Sequence, residues 1–269
     1  MTFTRLSLSL AAMIGAALVL TAGVMGIAGA DWLRGDEIAY VSYRDNTTDI
    51  FIIDVAHGLR YNLTHDDAYD VAPAWSPDGE WIAYASDRDG GRNIYLADRF
   101  GHSIRRLTEP NGYFTQPRWT ADGRSLVFVS INEAPNGIYS VDIDGGNFQR
   151  LDDPGNPGAI QIDLGYDPGD ISRMFSPDGS RFAFMTYRNH AWGIYVSRSN
   201  SRQDARLLVD VGRFTEQPSW SPDGRRMAYT AQRDGVVDLF VIDVDGDGEP
   251  TPQRLTFNRE IDISPTWRP

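Results

Sequence analysis

The sequence contains no cysteine, which excludes disulfides, thiol catalysis and thiolate metal sites. A lipid anchor carried on cysteine is excluded with them. Lysine is absent too: all 25 basic residues are arginine, set against 37 acidic ones, for a formal charge of −12. That balance argues against a nucleic-acid partner, whose backbone requires a basic surface, and it disfavours anionic membrane surfaces. A cationic partner, a peptide or a metal ion suits the charge, although an acidic surface mostly serves solubility. Histidine is scarce, at 4 residues. No Gly-x-Ser-x-Gly elbow occurs, so the serine-hydrolase nucleophile has no local signature.

Long uncharged stretches are confined to one place. Arg5 is followed by an apolar run from Leu6 to Ala30, ending in Ala28-Gly29-Ala30 before Asp31. The small-x-small ending suits a signal peptidase, and the run is long enough to span a bilayer. Two readings stand, a cleaved signal peptide or a retained N-terminal membrane anchor over residues 1–30. A helix of the globular domain is disfavoured because the run has no polar face. Both readings put residues 31–269 outside the cytoplasm, periplasmic or extracellular, with Arg5 inside.

What the rest of the chain has is repetition. Trp-Ser-Pro-Asp-Gly stands at 75–79 and at 220–224, Phe-Ser-Pro-Asp-Gly at 175–179 and Trp-Thr-Ala-Asp-Gly at 119–123. Aligned on these aromatics, Ile82, Leu126, Phe182 and Met227 share one column, and Tyr84, Phe128, Phe184 and Tyr229 another. Arg88, Asn132, Arg188 and Arg233 follow, then Ile94-Tyr95, Ile138-Tyr139, Ile194-Tyr195 and Leu239-Phe240. Leu107, Leu151, Leu207 and Leu255 close the units. A fifth copy, with Ile38, Tyr40, Arg44, Ile50-Phe51 and Leu63, lacks its leading Pro-x-Trp, while Pro265-Thr266-Trp267 is a leading segment with nothing after it.

Period-two alternation in segments such as IAYAS and NIYLAD reads as β-strand. Four short strands in about 44 residues is the length of a propeller blade. The expected fold is all-β: a five-bladed β-propeller of four antiparallel strands per blade, the C-terminal strand closing the N-terminal blade. Closure would hide free sheet edges. Ser-Pro-Asp-Gly suits a tight hairpin, because proline presets φ and glycine accepts a left-handed backbone. The leading aromatic is large enough to fill the wedge between blades. These five letters therefore read as architecture, not chemistry.

The combination Pro-x-Trp-Ser-Pro-Asp-Gly, Ile-Ala-Tyr, Arg-Asp-Gly, Ile-Tyr and Leu-Thr resembles the WD-like propeller repeat of TolB and related exported proteins, over residues 36–269. The resemblance implies an extracytoplasmic propeller serving as a platform for other proteins or peptides. It also raises an alternative of six blades, the TolB number, against the five counted here. The α/β domain that precedes the TolB propeller has no counterpart expected in this sequence. Related repeats occur in oligogalacturonate lyase-like enzymes, which implies a second reading: a metal-dependent carbohydrate-active enzyme, or a propeller that only senses a metal.

Candidate sites follow from the columns. Five residues before each leading aromatic stand Asp70, Phe114, Asp170, Thr215 and Asp262. If the inner strands radiate from the axis, these residues ring the channel mouth, with His65, Tyr69, Tyr113, Tyr166 and Phe214 nearby. Aromatics with acids suit a cationic or peptide ligand. The competing reading is that the aspartates cap their own turns. Asp243, Asp245 and Asp247 match the first half of a calcium loop, but Arg254 stands where the closing glutamate is required. The parallel Asp142-Ile-Asp144-Gly145 favours a repeated Asp-Gly hairpin. His57, His102 and His190 fall in hairpins, with only His65 in a connection between units. The arginine column reads as a recurrent blade-to-blade ion pair. No cofactor is expected beyond a divalent cation such as calcium. The expected partner is a protein or peptide of the cell envelope, and a monomer is expected.

Overall fold

A computed structural model describes residues 36–110, 112–131, 137–152, 175–188, 191–198, 205–212, 216, 218–245 and 251–269. The segment 1–30 lies outside them, as do Tyr166, Asp170, His190, Phe214, Thr215 and Asp247. Every described element is a β-strand, and the strands form five antiparallel sheets. Among the described residues no helix is long and apolar enough to cross a membrane.

Blade 1 contains β1 (Glu37–Arg44), β2 (Thr47–Asp54), β3 (Arg60–Asn62) and, on its inner edge, β19 (Ile261–Trp267), in the order β19-β1-β2-β3. Blade 2 runs β4 (Val71–Trp75), β5 (Trp81–Ser86), β6 (Asn93–Asp98) and β7 (Ile104–Arg106). Blade 3 runs β8 (Phe114–Trp119), β9 (Ser125–Ser130), β10 (Gly137–Asp142) and β11 (Gln149–Arg150). Blade 4 holds β12 (Arg181–Arg188), β13 (Ala191–Arg198) and β14 (Arg206–Gly212), with Phe175 bridging Phe182 where the inner strand of the other blades lies. Blade 5 runs β15 (Ser219–Trp220), β16 (Arg226–Arg233), β17 (Val236–Asp243) and β18 (Gln253–Arg254).

The closure expected from the two half-units is present. β19 pairs antiparallel with β1, placing Ile38 opposite Trp267 and Ser42 opposite Asp262. The inner strands also share a β-bulge. Ala72, Gln116 and Ser264, each three residues before its tryptophan, adopt φ of 55°, 54° and 54°. An extra residue there bends the strand and increases its twist.

The Asp-Gly turns are built alike in four blades. Ser76, Thr120, Ser176 and Ser221 donate to Asp78, Asp122, Asp178 and Asp223 at 2.5, 2.6, 2.5 and 2.6 Å. Each aspartate in turn accepts the backbone N–H two residues on. Gly79 closes its turn at φ 70°, a conformation that costs other residues steric strain.

The core lies between blades. One cluster joins Tyr40 and Ile38 of blade 1 to Ala228, Leu239 and Val241 of blade 5. Another joins Ile50 and Ile52 to Trp75, Ile82 and Tyr84. Two more join blade 2 to blade 3 through Leu96 and Phe128, and blade 4 to blade 5 through Val209 and Tyr229. Side chains of this size contribute about 1.5–3 kcal/mol each when fully buried. Hydrogen bonds stitch the same seams: Trp119 Nε1 donates to the Ala74 carbonyl at 3.0 Å, and Arg99 Nη2 to Glu37 Oε1 at 2.8 Å.

The Leu-Thr closure caps the third strand. Thr64, Thr108 and Thr256 accept the backbone N–H of Ile50, Ile94 and Leu239 at 3.1, 3.1 and 3.0 Å. In blade 3, Asp152 takes over, accepting from Ile138 at 3.0 Å. Blade 4 departs from the expected column. Leu207 is 49% exposed and Leu208 is buried instead, because a register shift between Ile194 and Tyr195 displaces the outer strand.

Candidate functional site

Strand polarity sorts the loops. Ends of second strands, starts of third strands and entries to inner strands share one face. The Asp-Gly turns and the outer hairpins share the other. The first, the mouth face, carries every expected ligand residue that the structure describes.

Asp70 and Asp262, expected to ring the mouth, are fully buried. Asp70 accepts from Arg88 Nη2 at 3.2 Å on both oxygens. Burial raises its carboxyl above the ordinary range, against the hydrogen bond from Ser86 and the Arg88 charge. Asp262 accepts from Ser42 Oγ at 2.6 Å and Asn258 Nδ2 at 3.2 Å, and burial raises it likewise. These two carboxylates hold inner-strand entries and present nothing to solvent. Their hydrogen-bond partners are side chains, Arg88 and Ser42 among them, and not the backbone N–H groups of a turn.

The arginine column explains the burial of Asp70. Arg88 leaves the end of β5, lies 4.8 Å over the Tyr95 ring and reaches Asp66 at 2.9 Å as well as Asp70. Arg44 leaves the end of β1, lies 4.7 Å over Phe51 and reaches Glu260 at 2.8 Å. In both, the arginine ties the second strand to the approach of the inner strand in its own blade, rather than bridging blade to blade as expected. Arg233, in the blade where the column holds Thr215, is exposed. Arg188 carries no described side chain.

Of the remaining candidates, His65 is exposed at φ 48° with its N–H on Asn62 Oδ1 at 3.3 Å. Tyr69 is half-buried and bridges Thr48, while its N–H binds Asp87 Oδ1 at 2.8 Å. Phe114 is partly buried and packs edge-on against Phe128 at 5.2 Å. Tyr113 is exposed and accepts the Ile131 N–H at 2.8 Å.

Metal ligation finds little support. Among the described residues no group of three or more His, Asp and Glu is placed to hold a metal ion. Asp245 accepts from Arg181 Nη1 at 2.5 Å, across the seam between blades 4 and 5. Asp243 stands opposite Arg226 in the β16–β17 ladder. His57 pairs with Asp54 at 3.0 Å, inside its own hairpin.

Sequence reasoning missed the most exposed feature of the mouth face. Tyr43 stands opposite Ile261, and Tyr187 opposite Trp192 with rings 5.6 Å apart. Phe257, 75% exposed, lies under the Arg254 guanidinium at 5.0 Å. With Tyr113 and Ile131 these are exposed large apolar side chains at strand ends and connections of one face. The signal was available: Tyr43, Ile131 and Tyr187 occupy a column that holds Asp87 and Gln232 elsewhere.

The profile of the TolB beta propeller domain matches residues 25–159 and 166–269. The Tol-Pal system protein TolB of Anaeromyxobacter dehalogenans (strain 2CP-C) is 33% identical over 97 residues, 36% of this chain and 21% of that protein. The protein TolB homolog of Chlorobium luteolum is 30% identical over 99 residues, 37% of this chain and 21% of that protein. The matched stretch is thus about a fifth of the length of these curated relatives. Among solved structures, TolB from Acinetobacter baumannii aligns over 96% of this chain and 71% of that one, at 19% identity and TM-score 0.46. Hydrazine synthase of Kuenenia stuttgartiensis aligns over 87% of this chain and 46% of that one, at 12% identity and TM-score 0.54, a likeness of fold alone.

Proposed function

Because the chain belongs to the TolB beta propeller family, we propose that it is a non-catalytic, extracytoplasmic binding module that holds a protein or peptide on the mouth face. One observation carries the reading: Tyr43, Tyr113, Ile131, Tyr187, Trp192, Phe257 and Ile261 are exposed and lie at strand ends and connections of that face. Solvated aromatic side chains are costly to leave bare and are the side chains that dominate interface energies. The same face carries acids and arginines already paired, such as Arg44 with Glu260 and Arg88 with Asp66. Protein interfaces combine apolar and polar groups of these kinds. His65, Tyr69 and Phe114 belong to the same face. The buried Asp70 and Asp262 act as its framework.

The curated relatives carry the name Tol-Pal system protein, and a component of an envelope system is the partner class taken from that likeness. The apolar run of residues 6–30 supports export or anchoring.

The test uses the full chain as bait on envelope extract, beside the triple variant Tyr187→Ser, Trp192→Ser, Phe257→Ser. These positions are exposed, so the variant should melt within a few degrees of the wild type. A partner retained by the wild type and lost by the variant supports the reading. A partner held equally by both, or held only through the opposite face, overturns the assignment of the mouth.

A further inference from the structure

The blades differ at one place on the opposite face, and the difference concerns charge. The third strand ends in Asp54, Asp98, Asp142 and Asp243 in blades 1, 2, 3 and 5. In blade 4 it ends in Arg198. Asp54, Asp98 and Asp142 each serve their own hairpin, as Asp98 does by accepting the N–H of Phe100 at 2.9 Å. Arg198 cannot accept a hydrogen bond.

The residue before it departs as well. The other blades carry Ile53, Ala97, Val141 and Ile242, whereas blade 4 carries Ser197. Ser197 is only 5% exposed, and its Oγ has no hydrogen-bond partner. A buried hydroxyl without a partner costs about 1–3 kcal/mol, so this position is worse for folding than the apolar residue used elsewhere.

Arg198 lines a cavity of about 530 Å³ at the seam of blades 4 and 5, together with Arg181, Arg206 and Asp245, while the Ser197 side chain, paired opposite Phe182, projects from the other face of the sheet. Arg181 stands directly opposite Arg198 in the β12–β13 ladder. Like charges so placed repel. The corresponding pair in blade 5 is Arg226 with Asp243, opposite in sign. Asp245 holds Arg181 and the Val244 carbonyl holds one nitrogen of Arg206. Arg105 makes the equivalent bond to Ile143 between blades 2 and 3, so that bond is a general stitch. Each guanidinium has five N–H donors, and these bonds leave most of them available. Three arginines against one aspartate line the cavity, on a chain whose formal charge is −12.

We infer that this cavity binds a phosphate group, held by Arg181, Arg198 and Arg206. Among the described residues the lining carries a surplus of two positive charges, which matches a dianion, and forked guanidinium donors match its oxygens. The phosphate can arrive as the free ion or as the monoester headgroup of a lipid. The site is independent of the mouth face.

The test titrates inorganic phosphate into the full chain by calorimetry at low salt, beside Arg198→Asp and Arg206→Gln. Arg198→Asp restores the residue of the other blades and should fold. The wild type should bind, Arg198→Asp should bind at least about tenfold more weakly, and Arg206→Gln should bind more weakly. Vesicles of phosphatidylcholine with phosphatidic acid form the second arm. Retention on them, reversed by inorganic phosphate, marks a lipid source; binding of the free ion without retention marks a soluble one. No binding in either arm overturns the site, as does equal binding by wild type and Arg198→Asp. Should Arg198→Asp fail to fold, unchanged affinity in Arg206→Gln overturns it.

Discussion

Ser42 donates a 2.6 Å hydrogen bond to Asp262 across 220 residues of chain, with both side chains fully buried. The bond fastens β19 to β1, the junction on which ring closure depends. Asp262→Ala should cost about 2–3 kcal/mol, since it strips a buried acceptor from Ser42 and Asn258. Asp262→Asn, which keeps an acceptor oxygen, should cost less. Urea denaturation of the two variants measures the difference, and no loss in either variant would show that the pairing of backbones alone holds the closure.

Arg88 and Arg233 occupy one column of the repeat and should respond differently. Removing Arg88 strands the buried Asp70 carboxylate, so Arg88→Ala should cost about 3 kcal/mol or more. Arg233 is exposed, and Arg233→Ala should stay within about 0.5 kcal/mol of wild type. Burial already raises Asp70, and loss of Arg88 should raise it further. A carboxyl raised in the folded state favours folding more as pH falls. The deficit of Arg88→Ala should therefore shrink toward acid, which melting curves at neutral and acidic pH would reveal.

Gly79 and Gly179 share a turn and a φ of 70°. A Cβ on Gly79 would sit 2.7 Å from Arg268 Nε, whereas one on Gly179 would meet nothing within 4 Å. Arg268 is engaged there, donating to the Gly79 carbonyl at 2.9 Å and to Glu37 at 3.2 Å. Gly179→Ala should cost about 1–2 kcal/mol from backbone strain. Gly79→Ala should cost more, and Gly79→Val at least as much. Equal costs at the two positions would remove Arg268 from the closure.

The turn aspartates set the acid limb of stability. Hydrogen bonds from Ser176 and Ser180 hold the Asp178 carboxyl down at about 2, and Ser76 and Ser221 lower Asp78 and Asp223 in the same way. A carboxyl depressed on folding stabilises above its unfolded value of about 4, and that contribution is lost as pH falls to the folded value. Asp178→Asn should melt lower than wild type at pH 6, and the gap should close between about pH 4 and pH 2. A gap that stays constant with pH would mean the turn needs only the side-chain oxygen, not its charge.

Much of this protein was legible before any coordinate, because a repeat writes the same local environment several times. The apolar columns, the turn glycines and the split of one blade between the two ends of the chain each follow from backbone geometry and alternation. These are properties of neighbouring residues, so sequence alone determined the all-β class, five blades and closure through Trp267. Burial at the mouth was decided elsewhere. Asp70 is hidden because Arg88, 18 residues on, folds back over it, and Asp262 because Ser42 comes from the far end of the chain. Leu208 replaces Leu207 in the core because a bulge shifts β14, which no column of letters marks. Arg198 and Ser197 stood out of register in plain sight. Only the packing of blade 4 on blade 5 put Arg198 in one cavity with Arg181, Arg206 and Asp245, since charges far apart in sequence meet only through the tertiary structure.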